Sequence, residues 1–393
     1  MWNVWKNIAL WKRSIVGLIL GFLFGIFFSD QVVYIKPIGD LFIKLLKMMI
    51  TPLIFITLLH SLSKLTSSQS LSIIAFKSLL WFIATTIIAI ILGISMAEFF
   101  TPGVGINVVI PSATSQNINQ PTLLSTLFNM IPNNPIQSFL DANVLQVIFL
   151  AIIAGIALMN ISVKKDALIE IIDTANAMVI YLISLIMEVM PIGIFALLAF
   201  SASNFGGELI FKLLQLMLVV IFTCVIQVCV VYSTLLKIYK INVLSFFKNI
   251  FEAILIAFST SSSTATLATS ILCAQREKIK ESVYSFVLPL GATINMNGSA
   301  IHQAISTVFI AQIIGFDLNF YHYFAIIITT LLSAVGTASV PGAGLIMLTL
   351  VLSVVGLPVE GIAIIAGVDR ILDMIRTSVN VAGDLVIAKI LSK

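Results

Sequence analysis

The chain has 393 residues, 60% of them hydrophobic and only 10% charged, with a mean hydropathy of +1.13 and a formal net charge of +4. Soluble domains carry about 25% charged residues, and a water-soluble fold of this composition would expose very large apolar patches, so the chain reads as an all-α polytopic membrane protein. No basic patch with interleaved aromatics is present, which argues against nucleic-acid binding. Cys224, Cys229 and Cys273 form neither a metal spacing nor a disulfide framework.

The first segment, WKNIALWKRSIVGLILGFLFGIFFSD, has basic residues and then an apolar core. No small-x-small cleavage site follows Phe28, so it is expected to be a retained membrane helix. An apolar stretch of about 20 residues crosses the hydrocarbon. On that measure spans are expected near 13–28, 41–60, 73–100, 143–160, 174–200 and 208–236. The regularity then fails. Segment 250–272 holds STSSST (259–264), 284–314 is interrupted by NMNGS (295–299), 324–356 is broken by VGTASVPGAG (335–344), and 359–391 carries charges.

Basic residues order these segments. With both termini cytoplasmic and each broken segment entering and leaving on one side, the inner connections hold most of the 21 Lys and Arg, among them Lys64, Lys164, Lys165, Lys240, Lys278 and Lys393. The outer connection between Phe99 and Leu140 has no charged residue. This is the positive-inside asymmetry. It predicts eight transmembrane helices plus two re-entrant helical hairpins. Ten full spans would spoil the asymmetry.

The last third repeats a hairpin-like segment followed by a helix with polar residues. Interrupted segments in corresponding positions are a sequence pointer to a binding site at an inverted repeat, because non-helical backbone at membrane depth must be buried in protein or line a wet cavity. The serine run is either an anion-binding tip, with free N–H groups at a helix start, or a Ser/Thr packing face. GTASVPGAG combines glycine freedom with a proline that removes a donor, suiting a gate or a kinked helix. NMNGS offers either carbonyl oxygens to a cation or polar glue between helices.

The final segment is the most informative. On a helical wheel Asp369, Asp373, Arg376, Asn380 and Asp384 fall at about 0°, 40°, 340°, 20° and 60°, with Thr377 beside them and apolar residues such as Ile375 and Leu385 behind. A charge at the bilayer centre costs about 2.5–3.5 kcal/mol on insertion scales, so this stripe is expected to face a wet pocket rather than to cancel internally as Asp369–Arg370 and Asp373–Arg376 pairs. Arg376 suits a substrate carboxylate, Asp373 an ammonium, and Asp384, with no basic partner within two turns, a cation. His302 is expected to be a packed neutral histidine and His60 to lie at the inner rim. An intramembrane aspartyl protease needs carboxylates on facing helices, and these share one. A gated anion channel would need a basic ring, and none is readable.

The motifs SSSTATL (261–267), GATINMNGSA (291–300), GTASVPGAG (336–344) and DRILDMIRTSVNVAGD (369–384) resemble, in order and spacing, those of the dicarboxylate/amino acid:cation symporters, the glutamate transporter family. The resemblance covers nearly the whole chain and is nearest to prokaryotic glutamate/aspartate members. It implies a homotrimeric elevator-type transporter with inverted repeats, in the plasma (inner) membrane, with no catalytic site. Residues 1–70 and 103–205 would form the scaffold, and 71–102 and 206–393 the transport domain. Cation-coupled uptake of glutamate or aspartate is implied, with a C4-dicarboxylate or neutral amino acid as the alternative substrate.

Carried over residue by residue, substrate contacts fall on Ser262, Ser263, Ser299, Val340, Gly344, Asp373, Arg376, Thr377 and Asn380. One sodium site maps to Gly291, Asn295, Asn380 and Asp384, a second to Thr293, Ala334, Val335 and Thr337, and a third to Thr85 and Thr86 with Asn295. The family's aspartate in NMDG is Asn297 here, and Phe82 replaces a common aromatic hydroxyl. Fewer sodium ions, or proton coupling in part, are therefore expected. The family's second arginine is missing at Ser261 and Met374, where Arg370 is a nearby substitute. Gln303 replaces the glutamate of animal members, which argues against potassium coupling.

Overall fold

The computed structural model describes residues 10–63, 69–105, 131–141, 143–161, 166–336 and 342–393, and among these the chain is helical and turn-linked, without strands. Hydrocarbon offers no partner to backbone N–H and C=O groups, so a chain this apolar must satisfy them within helices. The helices are α1 (Leu10–Phe27), α2 (Val32–Ser63), α3 (Gln69–Phe100), α4 (Pro135–Leu140), α5 (Val144–Asn160) and α6 (Asp166–Ile226). After a π-helical turn, Gln227–Tyr232, come α7 (Ser233–Ile238), α8 (Val243–Thr260), α9 (Ser263–Arg276), α10 (Glu281–Ile294), α11 (Asn297–Ile313), α12 (Phe320–Gly336), α13 (Ala343–Val355) and α14 (Ile362–Leu391). Asn134, Asn143, Asn242 and Ser262 cap α4, α5, α8 and α9 by accepting a first-turn N–H.

Among the described residues five stretches are long and apolar enough to cross a membrane: 29–60, 73–100, 166–200, 211–238 and 243–260. The expected spans 174–200 and 208–236 are not separated by a loop. Helical hydrogen bonding continues through the 61 residues of α6, which would be about 92 Å long if straight, about three times the hydrocarbon thickness that one span crosses. The two apolar stretches inside it nevertheless have different neighbours. The first lies beside α1, where Gly17, Gly21 and Gly25 meet Pro191, Phe195 and Ala199. A Cβ at Gly21 would lie 2.9 Å from the Phe195 Cα, so this small-residue stripe is what lets two backbones approach. The second stretch runs antiparallel to α3, with Phe222 against Phe100 and, beyond α6, Tyr239 against Trp81.

Two of the interruptions form helix pairs. α8 and α9 pack on each other across a two-residue tip, in which Ser261 is left-handed (φ 53°) and Ser262 extended. α12 and α13 likewise pack together; their tip, with Thr337, Val340 and Pro341, lies outside the described residues. α10 and α11 are one broken helix, unwound at Asn295 and Met296. α11 is buried along nearly its whole length, against α3, α12 and α14. α14 is also buried on almost every side. The expected greasy back therefore meets other helices, because α8, α10, α11 and the π-helical turn all lie against it.

Candidate substrate and cation site

Side chains on a helix lean toward its N-terminus, so Arg376 reaches back along α14 over one and two turns. Its Nη2 donates to Asp373 Oδ1 at 2.8 Å and its Nη1 to Asp369 Oδ1 at 2.7 Å. The guanidinium is fully buried, and Asp369 with it. Arg370 Nη1 lies 3.5 Å from Asp373 Oδ2. Two guanidinium groups thus neutralise two carboxylates. This corrects the expectation of an open stripe with Arg376 free for a ligand: the pairs are internal, though Asp369 pairs with Arg376 rather than with its neighbour Arg370. Stripping water from an unpaired buried ion costs several kcal/mol, so the nearest carboxylates take the guanidinium.

Helix α13 closes over this cluster. The Gly342 N–H, at its N-terminus, donates to Asp373 Oδ2 at 3.2 Å. A Cβ on Gly344 would stand 3.0 Å from Arg376 Nη2, so glycine is what permits the first turn of α13 to rest on the guanidinium. From the other side comes α11. A Cβ on Gly298 would lie 2.6 Å from the Arg376 carbonyl oxygen, and the Gly298 N–H donates to Asn380 Oδ1 at 2.8 Å. The Asn380 amide approaches Met296 Sδ (3.2 Å) and Ser299 Oγ (3.5 Å). Thr377 turns its hydroxyl to the Asp373 carbonyl at 2.8 Å.

Of the expected substrate residues, Ser299, Gly344, Asp373, Arg376, Thr377 and Asn380 therefore gather around one stretch of α14. Val340 lies outside the described residues. Ser262 caps Ala265 at 3.2 Å and Ser263 is buried at the start of α9. Their helices pack on α14, where Ser378 donates to the Ile254 carbonyl at 3.2 Å.

One turn beyond, Asp384 accepts from Asn295 Nδ2 at 2.8 Å and has no basic partner among the described residues. The same amide points to the Asn380 carbonyl at 3.5 Å. Gly291 sits so close that a Cβ there would strike Asp384 Oδ1. The buried Asn295 Oδ1 has no donor. A carboxylate, an orphaned amide oxygen and nearby carbonyls form an oxygen-only set, which suits a hard cation such as Na⁺. Of the second expected set, Thr293 donates to the Leu290 carbonyl and Ala334 is fully buried; Thr337 and the Val335 side chain lie outside the described residues. No group of three His, Cys, Asp or Glu suited to a metal occurs among the described residues.

At the third expected cation set, the hydroxyls of Thr85 and Thr86 are engaged by Asn297 rather than by Asn295. Thr86 Oγ1 donates to Asn297 Oδ1 at 2.7 Å, and Asn297 Nδ2 donates to Thr85 Oγ1 at 3.1 Å and to the Tyr232 hydroxyl at 2.8 Å. Tyr232 was not legible as part of the site. It comes from the π-helical turn, a geometry that recurs at functional sites, and supplies an aromatic hydroxyl while Phe82 packs its ring near Gly291. Gln303 accepts a short hydrogen bond from Ser333. His302, read from sequence as a packing residue, lies against Arg376, with its Nδ1 2.6 Å from Nη1. His60 pairs with Asp173 at 3.2 Å.

The chain is similar to known transport proteins over nearly its whole length. The chain is 32% identical over 400 residues to the proton/sodium-glutamate symport protein of Geobacillus stearothermophilus, covering 99% of this chain and 95% of that protein. It is 32% identical over 393 residues to the C4-dicarboxylate transport protein of Rhodospirillum rubrum (98% and 88% covered). It is 30% identical over 409 residues to the proton/glutamate-aspartate symporter of Escherichia coli (99% and 94%). The model of the sodium:dicarboxylate symporter family matches residues 10–393, and the chain belongs to that family of transporters.

Proposed function

We propose that this protein is a secondary active symporter that takes up glutamate or aspartate with sodium, protons or both. The observation that carries the reading is the fully buried Arg376, held between α11 and α13 with Asp373 on its fork. A substrate carboxylate takes both arms of the guanidinium in place of Asp373 and Asp369. Asp373, released from Arg376 and from the Gly342 N–H, then accepts the substrate ammonium. Asn380, Ser299, Ser262 and Ser263 take the α-carboxylate. Because Asp373 also holds the start of α13, substrate entry and release of the Gly342 N–H are one event.

Sodium is a co-transported substrate. Asp384, Asn295, Gly291 and the Asn380 carbonyl would hold one ion, and Thr293 with the end of α12 a second. The mutual hydrogen bonds of Thr85, Thr86, Asn297 and Tyr232 support a smaller number of sodium ions than three. Eight spans, two re-entrant hairpins, a homotrimer in the plasma membrane, cytoplasmic termini and an elevator movement complete the reading. Its support is the packing: α1 and α2 lie chiefly against the first part of α6, whereas α3 lies against α11.

A second reading, C4-dicarboxylate uptake, is favoured by the equal identity to the Rhodospirillum rubrum protein. Asp373 separates the two, since a dicarboxylate brings no ammonium to it. The test is uptake of labelled glutamate, aspartate and succinate into proteoliposomes under sodium and pH gradients. Accumulation of the amino acids supports the main reading, succinate alone supports the second, and no gradient-driven uptake overturns both.

A further inference from the structure

We propose that His302 is the residue that carries a co-transported proton, through an exchange with Arg376 at Asp369; the inference rests on the symport reading above. Arg376 Nη1 lies 2.6 Å from His302 Nδ1 and 2.7 Å from Asp369 Oδ1. A guanidinium only donates, so Nδ1 must be the acceptor and the imidazole must be neutral while this contact lasts. An imidazolium there would turn an N–H toward a second cation. The remaining nitrogen, Nε2, is fully buried, has no hydrogen-bond partner and stands 3.8 Å from Asp369 Oδ1.

When a substrate carboxylate draws Arg376 away, two things change together. Asp369 loses its counter-cation, and the lone pair of Nδ1 becomes free. A proton from the aqueous side that the site then faces binds Nδ1, and the imidazolium restores the charge beside Asp369. On substrate release Arg376 returns to Asp369, and the proton leaves from Nδ1. Binding of substrate and of proton are linked, and the linkage is reciprocal.

The surroundings leave His302 as the group suited to this exchange. From α14 the charged neighbours are Asp369 and Arg376, with Asp373 and Arg370 joined to them. On α6, Cys224 is a buried thiol. Tyr232, in the π-helical turn, is engaged by Asn297. α13 has no titratable side chain; those of α12 are Tyr321, His322 and Tyr323 at its start, and those of α3 are Lys77 and Glu98. Gln303 and Ser333, between α11 and α12, bond each other.

The experiment uses the purified full chain in weakly buffered detergent solution with a pH indicator. Addition of glutamate at constant sodium is expected to take up a proton, and the dissociation constant to rise by up to about tenfold per pH unit. In His302→Gln both effects are expected to vanish while glutamate still binds. Independently of the folding of this variant, infrared or ¹⁵N spectra of the His60→Gln/His322→Gln protein, which retains only His302 of the three histidines, read the same event: an imidazolium signal appears with glutamate. Glutamate binding without proton uptake, persistence of the pH dependence in His302→Gln, or a histidine that stays neutral in the complex overturns the assignment and leaves the symport reading standing. Absence of any glutamate binding or uptake overturns both.

Discussion

Asn295 donates to Asp384 at 2.8 Å through its amide nitrogen, while its amide oxygen, equally buried, receives nothing. One residue thus holds the carboxylate in place and leaves a second oxygen ready for a cation. Asp384→Asn keeps the shape and an acceptor for that bond but removes the charge. The variant is expected to fold at least as stably as the parent without sodium. Stabilisation by sodium, about 2.7 kcal/mol at a hundredfold excess over its dissociation constant, is expected to disappear. Thermal unfolding with sodium and with choline checks this, and an unchanged sodium response would remove Asp384 from the site.

Arg376 balances two carboxylates, so its loss touches stability as well as transport. Arg376→Cys is expected to abolish uptake of acidic substrates and to destabilise the fold by about 3–5 kcal/mol, the usual cost of stranding a buried charge. The pairing with Asp369 and Asp373 makes this arginine part of the fold as well as of the site. Arg376→Cys/Asp369→Asn, with one carboxylate neutralised, is expected to recover part of the stability and none of the uptake. Melting temperatures and uptake measured on both variants decide it.

Tyr232 and Asn297 meet across 65 residues of sequence at 2.8 Å. Tyr232→Phe removes that bond but leaves the Asn297 amide its bond to Thr85, so a cost of about 1 kcal/mol is expected. The double variant with Asn297→Ala measures the coupling. Additive effects in that cycle would show that the two side chains do not interact.

Gly298 brings α11 against the backbone of α14. Gly298→Ala places a methyl 2.6 Å from the Arg376 carbonyl oxygen and 2.9 Å from its Cα, and backbone atoms have nowhere to retreat. The expected cost is about 1–3 kcal/mol, with weaker binding because Asn380 accepts from the same Gly298 N–H. A fully stable, fully active variant would mean the two helices stand further apart.

The sequence by itself determined that the chain is helical and located two of the places where helices fail. Apolar runs demand internally bonded backbone, and STSSST and NMNGS coincide with the tip after α8 and the break before α11. It also determined which polar residues share a face of α14, because a period of 3.6 residues sets angle alone. Three things were decided only in three dimensions. Arg376 chose Asp369 and Asp373 because its long side chain leans back along the helix into a volume without water. The continuity of α6 through two apolar stretches was hidden because helical hydrogen bonding can run on where hydropathy falls. Tyr232 and His302 joined Asn297 and Arg376 because packing, not periodicity, determines which residue of one helix stands opposite which residue of another. In a medium that offers no competing hydrogen bonds, that opposition decides which charges and hydroxyls become partners.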